Sequence, residues 1–341
     1  MSTIDWSAAD RQDLEQVATE ARRWADAASD SPLYRAFALG IAEDAELLRV
    51  VARIDNVPPL NLLFGAVRLT LRPSDALAAW YPHLASRPRD AGPDAVAALR
   101  DHVLAREAAL LEIARTHRTQ TNEVGRAAVL LPWLPRVQGD LHAIDLGASA
   151  GLNLLLDRFA YRYRGARGDT RLGQGPLELQ CDNRGDVDLP RRVPVLATRT
   201  GIDLSPVDAT DPAAAAWLEA LVWPEHGDRL ARLRAAVALR QHTDVTMIAG
   251  DAATTLARVA AALPPGPLVV WHTIALYQAD ARAMADIDAA VEEAARHRDV
   301  TRVGFEPVAD APHAEVRVGP SFDTAETVAV AHAHGRWIDH P

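Results

Sequence analysis

From Leu141 onward, short apolar runs alternate with helical stretches, and few architectures accommodate that rhythm. A brief apolar run, an amphipathic stretch and a second apolar run read as a βαβ unit, whose strands lie parallel in one sheet. The strand candidates are 141–146, 195–204, 245–249, 268–272 and 300–306, with 314–318 and 327–334 as an antiparallel end. Residues 160–193 interrupt the series. There Tyr161 and Tyr163 alternate with polar neighbours, as do Leu177, Leu179 and Cys181, which predicts an inserted hairpin.

The first 135 residues have a different texture. Trp24, Leu39, Ile41, Leu48, Val51 and Ile54 fall in amphipathic runs broken near Pro32 and Pro58–Pro59, and a further run carries Val96, Leu99, Val103, Leu110 and Ile113. Val124, Ala127, Ala128 and Leu131 then repeat at helical spacing until Pro132 ends the pattern. The expected fold is therefore α/β: an all-helical N-terminal domain over 1–135, a cap, followed by a sheet domain over 136–341.

Composition removes whole chemistries. All 36 basic residues are Arg, so a lysine Schiff base and a Walker-A phosphate loop are excluded. One cysteine, Cys181, excludes an internal disulfide and a Cys-rich metal site. With 46 acidic residues the net charge is −10, the wrong sign for a reader of duplex nucleic acid. No run approaches the about 20 apolar residues of a membrane span, and residues 1–13 are polar and lack the apolar core of a secretory signal. A cytoplasmic protein with a small-molecule partner is expected, without nucleic acid or membrane.

The segment Asp145-Leu146-Gly147-Ala148-Ser149-Ala150-Gly151-Leu152-Asn153 reads as a strand end, a turn of small residues and the start of a helix over 152–159. Small residues let a ligand approach the backbone, and turn amides offer donors to it. Three chemistries compete for this shape. A dinucleotide turn needs glycine at 147, 149 and 152, and only Gly147 fits. A hydrolase elbow, G-x-S-x-G, does fit, with Ser149 as nucleophile and Asp251 and His332 following in order; but that fold places strands, not helices, before the elbow. The third chemistry is an S-adenosylmethionine site.

Asp145-x-Gly147-x-x-x-Gly151 resembles the first motif of class I S-adenosylmethionine-dependent methyltransferases, and Gly201-Ile202-Asp203-Leu204, Ala249-Gly250-Asp251-Ala252 and Val269-Val270-Trp271-His272 resemble that family's next strand ends in the right order. The resemblance implies a Rossmann-like sheet. It also implies that Asp145, Gly147, Ala148, Ser149, Gly151 and Asn153 surround the methionine part of the cofactor, with Asp203 and Leu204 at the ribose and Asp251 and Ala252 at the adenine. Any one of these residues alone is explained by strand–helix packing; the ordered set points to a cofactor. The chain is also similar, over nearly its full length, to the bacterial domain-of-unknown-function family 2332. That likeness rests on Thr119–Arg126, Gly147–Asn153, Gly201–Leu204, Trp217-Leu218, Val222-Trp223-Pro224, Ser31-Pro32-Leu33-Tyr34 and Asn61-Leu62-Leu63-Phe64.

Methyl transfer is an in-line displacement that needs alignment and water exclusion, plus a base only where the acceptor must lose a proton. His272, at the end of a strand, is the candidate base, set against a core histidine held by a hydrogen bond. Glu306 ends the following strand and is a second candidate; Tyr277 is a third, closing over the acceptor unless it packs in the helix beyond. His332 and His334 alternate on one strand face, but a third ligand is not evident, and no metal is expected. Asn122, Glu123 and Arg126 are assigned to the acceptor or the cofactor carboxylate, in a cleft between helices and sheet; capping by Thr121 or Asn122, with Glu123 favourable near the helix's positive end, is the alternative. The expected activity is methylation of a small molecule, with oxygen the favoured acceptor atom. A sensor that binds S-adenosylmethionine or a nucleotide without catalysis is the alternative, and a Ser149 hydrolase the second.

Overall fold

The structure, a computed structural model, describes residues 14–137, 139–309 and 311–341. The polar stretch 1–13, read above as lacking a signal, lies outside the described residues. The chain divides into two compact units, Ser2–Thr121 with Pro212–Ala231, and Asn122–Asp211 with Arg232–Pro341. The division falls after Thr121 rather than after residue 135, and it assigns 212–231 to the first unit.

Among the described residues of the first unit, the regular elements are helices: Leu14–Ala27, Pro32–Glu43, Ala45–Val51, Pro59–Thr70, the 3-10 turn Ala76–Trp80, Pro93–Ala105, Glu107–Thr116 and, later, Pro212–Ala220 with the start of Gly227–Arg240. Local chemistry sets the boundaries. Ser31 caps the second helix through its Oγ, and Pro32 occupies a first-turn position where its missing N–H costs nothing. Asp44 serves two helices, ending one with its backbone N–H to Ile41 O and starting the next with Oδ1 accepting from Glu46 and Leu47. The core is aromatic at its centre, with Trp24, Tyr34, Phe37 and Phe64 in mutual contact. Trp217 enters that core and donates Nε1 to Arg118 O at 2.9 Å.

Gly65 makes room for Trp217. A Cβ on Gly65 would lie 2.8 Å from Trp217 Cη2. Gly65→Ala is expected to lower unfolding stability by about 1–2 kcal/mol, because the indole clash outweighs the roughly 1 kcal/mol that alanine gains over glycine within a helix. Urea denaturation checks the sign: a Gly65→Ala chain as stable as the parent would show that the indole yields freely.

The second unit is built on an 11-stranded sheet. In chain order its strands are β1 (Leu141–Leu146), β2 (Ala160–Gly165), β3 (Gly168–Leu172), β4 (Glu178–Asn183), β5 (Leu196–Asp203), β6 (Thr246–Ala249), β7 (Leu268–Thr273), β8 (Val300–Pro307), β9 (Ala314–Val318), β10 (Glu326–Ala331) and β11 (Trp337–Asp339). Across the sheet they run β3-β2-β4-β11-β10-β9-β8-β7-β1-β5-β6. The stretch β8-β7-β1-β5-β6 is parallel throughout. β1 and β7 are buried along their whole lengths, which is why they read as unbroken apolar runs. Helices Ala252–Ala262 and Ala281–Ala295 cover one face, where Leu256, Val259, Ile287 and Val291 meet Ile144, Leu146, Ile202 and Val270. From β1 the chain steps outward through β5 to β6, then returns past β1 to β7 and on to β8, so the reversal in strand order lies between β1 and β7. In open sheets of this kind, that is where ligands bind, at the carboxyl ends of the strands.

Three local expectations are corrected. The segment after the glycine turn, Leu152–Arg158, is wound in 3-10 turns and is not an α-helix. Leu152, Leu154, Leu155 and Leu156 are all buried, more than one apolar stripe of an α-helix would hide. Residues 160–193 contain the antiparallel pair β2–β3, but β4 lies parallel to β2, so the insertion is more than a hairpin. The antiparallel end stops at Ala331, and β11, unforeseen, runs between β10 and β4. Among the described residues, no helix is long and apolar enough to cross a membrane.

Candidate functional site

The glycine turn between β1 and the 3-10 segment needs left-handed backbone. Gly147 has φ 70° and Gly151 φ 68°, and a Cβ on Gly147 would come within 2.5 Å of Ala275 Cβ. Ser149 also sits at positive φ, 52°, a conformation that costs an L-residue on the order of 1 kcal/mol. Surrounding hydrogen bonds hold it there. Ser149 N donates to Asp203 Oδ2 at 2.8 Å, Ser149 O accepts from Val207 N at 3.0 Å, and Ser149 Oγ accepts from Asn122 Nδ2 at 2.9 Å. Asn122 Oδ1 accepts from Ala150 N at 3.2 Å, while Gly147 N and Ala148 N both point to Ile202 O. Asp203 therefore stitches the tip of β5 to the turn that follows β1. Its other oxygen accepts from Ser205 N at 2.7 Å.

Asn122 and Glu123 precede the helix, which begins only at Arg126. Asn122 binds the glycine turn instead of capping. Glu123 is buried and accepts from Gly125 N at 3.0 Å, with Arg232 Nε 3.4 Å away. Arg126 is buried too, and donates Nη1 to Thr273 O at 2.9 Å and Nε to Ala333 O at 3.1 Å. An arginine read from sequence as a carboxylate clamp here ties the carboxyl end of β7 to the β10–β11 connection.

Asp145 is the electrostatic anomaly. It is 2% exposed and lies directly opposite Trp271 in the β1–β7 register. Burial pushes its carboxyl up to about 8; the Trp271 indole and Arg126 pull the other way, and the Asp203 carboxylate adds to the rise. At neutral pH Asp145 carries a proton. Nearby, Asn153 Nδ2 reaches Thr273 Oγ1 at 3.5 Å, and Asn153 Oδ1 is buried without a hydrogen-bond partner. Sequence reading missed Trp271 and Thr273 as members of this set, although alternation along β7 puts both on the Asp145 side of the sheet.

His272 and Glu306 come together, but on the opposite face. His272 is 2% exposed; its Nδ1 is 2.6 Å from Glu306 Oε1 and its Nε2 is 3.4 Å from Arg302 Nη2. Arg302 in turn pairs with Asp288 and stacks on Phe322, 3.4 Å from the ring centroid. The Glu306 carboxylate also accepts from the backbone N–H groups of Ala275, Leu276 and Tyr277, so it clasps the loop that leaves β7. Both ring nitrogens of His272 are engaged, an arrangement suited to positioning. No sequence signal linked Arg302 or Asp288 to this pair. Tyr277 is exposed, with its hydroxyl accepting from Gln278.

Asp251, on the next tip after Asp203, is exposed and caps the helix starting at Ala252 by accepting from Ala253 N. Leu204 is exposed beside Asp203. His332 and His334 lie with ring centroids 5.5 Å apart, and His334 Nδ1 is 3.9 Å from Glu123. Among the described residues, no group of three or more His, Cys, Asp or Glu could hold a metal ion. One cavity of about 430 Å³ is lined by Asp75, Trp80 and His102, and another of about 760 Å³ by Ala257, Pro265 and His297; neither has a glycine-turn residue in its wall.

A family model described as an uncharacterized protein conserved in bacteria (DUF2332) matches residues 16–340, and the chain belongs to that family. No curated protein and no solved structure matches the chain.

Proposed function

We propose that this family member binds S-adenosylmethionine at the carboxyl ends of β1, β5 and β6 and passes its methyl group to a small-molecule oxygen acceptor. The observation that carries the reading is the carboxylate of Asp203, on the tip of β5, joined at 2.8 Å to the amide of Ser149 in the glycine turn. The parallel order β6-β5-β1-β7-β8 supports it, matching the 3-2-1-4-5 order of doubly wound nucleotide-binding sheets. So does the unpartnered Asn153 Oδ1, a buried acceptor beside that turn.

The residues present fit the group. Each Asp203 oxygen accepts one backbone N–H and keeps a lone pair for a ribose hydroxyl. Asn153 Oδ1 would accept a donor from the methionine part, and Asp145 would lie near its ammonium, which would favour the carboxylate form with the proton released to solvent. Asp251 and Ala252 would flank the adenine edge. S-adenosylmethionine supplies an electrophilic methyl group on a sulfonium. The chain's own work is to align the acceptor and keep water out. With His272 held between Glu306 and Arg302, the acceptor best served is an oxygen that arrives deprotonated, such as a carboxylate, which needs no base.

The engagement of His272 also favours a second reading, a sensor that binds the same ligand without turnover. Ser149 is less suited to hydrolysis: the partner of its Oγ is the Asn122 amide N–H, which cannot take a proton. Titration calorimetry with S-adenosylmethionine and S-adenosylhomocysteine tests the common core; saturable heat for both is expected, and none for either would overturn both readings. A labelled-methyl screen over small carboxylic acids then separates them, since transfer identifies the enzyme and binding without transfer the sensor.

A further inference from the structure

Four arginines are buried among the described residues, and three of them have partners. Arg126 donates to two carbonyls, Arg199 pairs with Asp157, and Arg302 pairs with Asp288. Arg68, in the helix Pro59–Thr70, is the exception. It is 7% exposed, its Nη1 is buried with no hydrogen-bond partner, and no carboxylate among the described residues forms an ion pair with it. A guanidinium withdrawn from water with a hydrogen bond unmade and no direct ion pair is costly, so such groups occur where an oxyanion completes them.

Its surroundings are those of an anion receptor. Arg68 lies one helical turn beyond Phe64, on the same helix face. Tyr34 packs on Phe64, ring centroids 4.6 Å apart, and Tyr81 packs edge-on to Tyr34 at 6.4 Å. The hydroxyls of Tyr34 and Tyr81 are both buried and interact with each other, and neither has a hydrogen bond to a third group. Burial holds the Tyr34 hydroxyl up at about 12 and that of Tyr81 well above its ordinary value, with Arg68 pulling both down. Both hydroxyls stay protonated and, on turning from each other, can donate to an anion. Glu225 is the neighbouring carboxylate, and its oxygens are committed to Ser31 Oγ at 2.5 Å and Leu33 N at 2.8 Å. The charge of Glu225, felt at the same hydroxyls, offsets part of that of Arg68 but supplies no hydrogen bond to Nη1, and a buried water could satisfy the two hydroxyls without pairing the charge directly.

We propose that Arg68, Tyr34 and Tyr81 form an anion site in the helical unit that takes the carboxylate or phosphate group of a small molecule. Guanidinium geometry matches either oxyanion with two parallel N–H donors, and the phenols add one donor each. The site is independent of the glycine turn and of the methyl-transfer reading.

The test uses the full chain without S-adenosylmethionine. Thermal unfolding and calorimetry are run with inorganic phosphate and with acetate, against chloride at matched ionic strength. A saturable rise in Tm with one oxyanion is expected, and the effective probe tells phosphate from carboxylate. Arg68→Gln should abolish the response. Tyr34→Phe and Tyr81→Phe, which remove one oxygen each and keep the packed rings, should each weaken binding about tenfold. The phenylalanine variants carry the test if the Arg68→Gln chain fails to fold. No saturable effect of either oxyanion on the parent chain would overturn the proposal, as would an undiminished effect in the double Phe variant.

Discussion

Asp203→Ala is expected to weaken S-adenosylmethionine binding by about a hundredfold or more, the largest loss of any single substitution at the candidate site. Two ribose hydroxyls donating to one carboxylate contribute roughly 1.5–3 kcal/mol each, and each 1.4 kcal/mol is about a factor of ten in affinity. The same change frees the amides of Ser149 and Ser205, so part of the loss is a turn no longer held in shape. Asp203→Asn separates the two contributions. It keeps an oxygen for one amide and surrenders the charge, and it should restore most of the lost Tm but little of the affinity. Calorimetric titration of both variants reads the result. Affinity within threefold of the parent in the Asp203→Ala chain would remove Asp203 from the ligand and with it the proposed function.

The second large effect concerns Asp145 and appears as a dependence of stability on pH. Its folded pKa, about 8, stands above the ordinary carboxyl value of 3.8. A raised carboxyl pKa means that the folded state holds a proton the unfolded chain has released. Its contribution is fully present below pH 4 and is lost as the pH rises toward 8, at about 1.4 kcal/mol per pH unit inside that window. Asp145→Asn keeps the shape and cannot ionise. The difference in unfolding free energy between the parent and the Asp145→Asn chain, followed by urea denaturation from pH 5 to pH 8, should therefore slope steadily in favour of the variant. A flat difference would mean that the Asp145 carboxyl ionises normally inside the sheet. Trp271, Arg126 and Asp203 stay the same in both chains, so they cancel from the comparison.

Much of the sheet was legible because its signals are local. β1 and β9 occupy the residues that apolar patterning marks, and β5 to β8 differ from expectation by one or two residues at their ends. Such runs stand out when both faces of a strand are buried. β11 escaped notice: three residues after a Gly335 bend carry too little pattern, and their pairing with β4 is remote in sequence. The 3-10 segment was misread because leucine-rich composition cannot distinguish one buried stripe from burial all round. At the site, the ordering of Asp145, Gly147, Asp203 and Asp251 along the chain placed them on neighbouring strand tips, since parallel crossovers fix that geometry. The roles of His272 and Arg126 were beyond sequence. Whether a histidine has a free nitrogen, or an arginine a free edge, depends on Glu306, Arg302, Thr273 and Ala333, which lie on other strands and connections.

β11 has a mechanical consequence. It meets β4 through two residue pairs, Trp337 with Asp182 and Ile338 with Asn183, and meets β10 through two more. Within the sheet itself β11 is thus a narrow joint between the insertion strands and the rest, while the buried Tyr163 hydroxyl, donating to Ala128 O at 2.7 Å, ties β2 to the helix Arg126–Leu130. Backbone bonds from Asp182 to Arg336 O and from Arg184 to Ile338 O lengthen the joint slightly. Thin joints of this kind open before well-packed cores do, so the β4–β11 pairing is expected to fray while the strands carrying Asp145 and Asp203 stay paired.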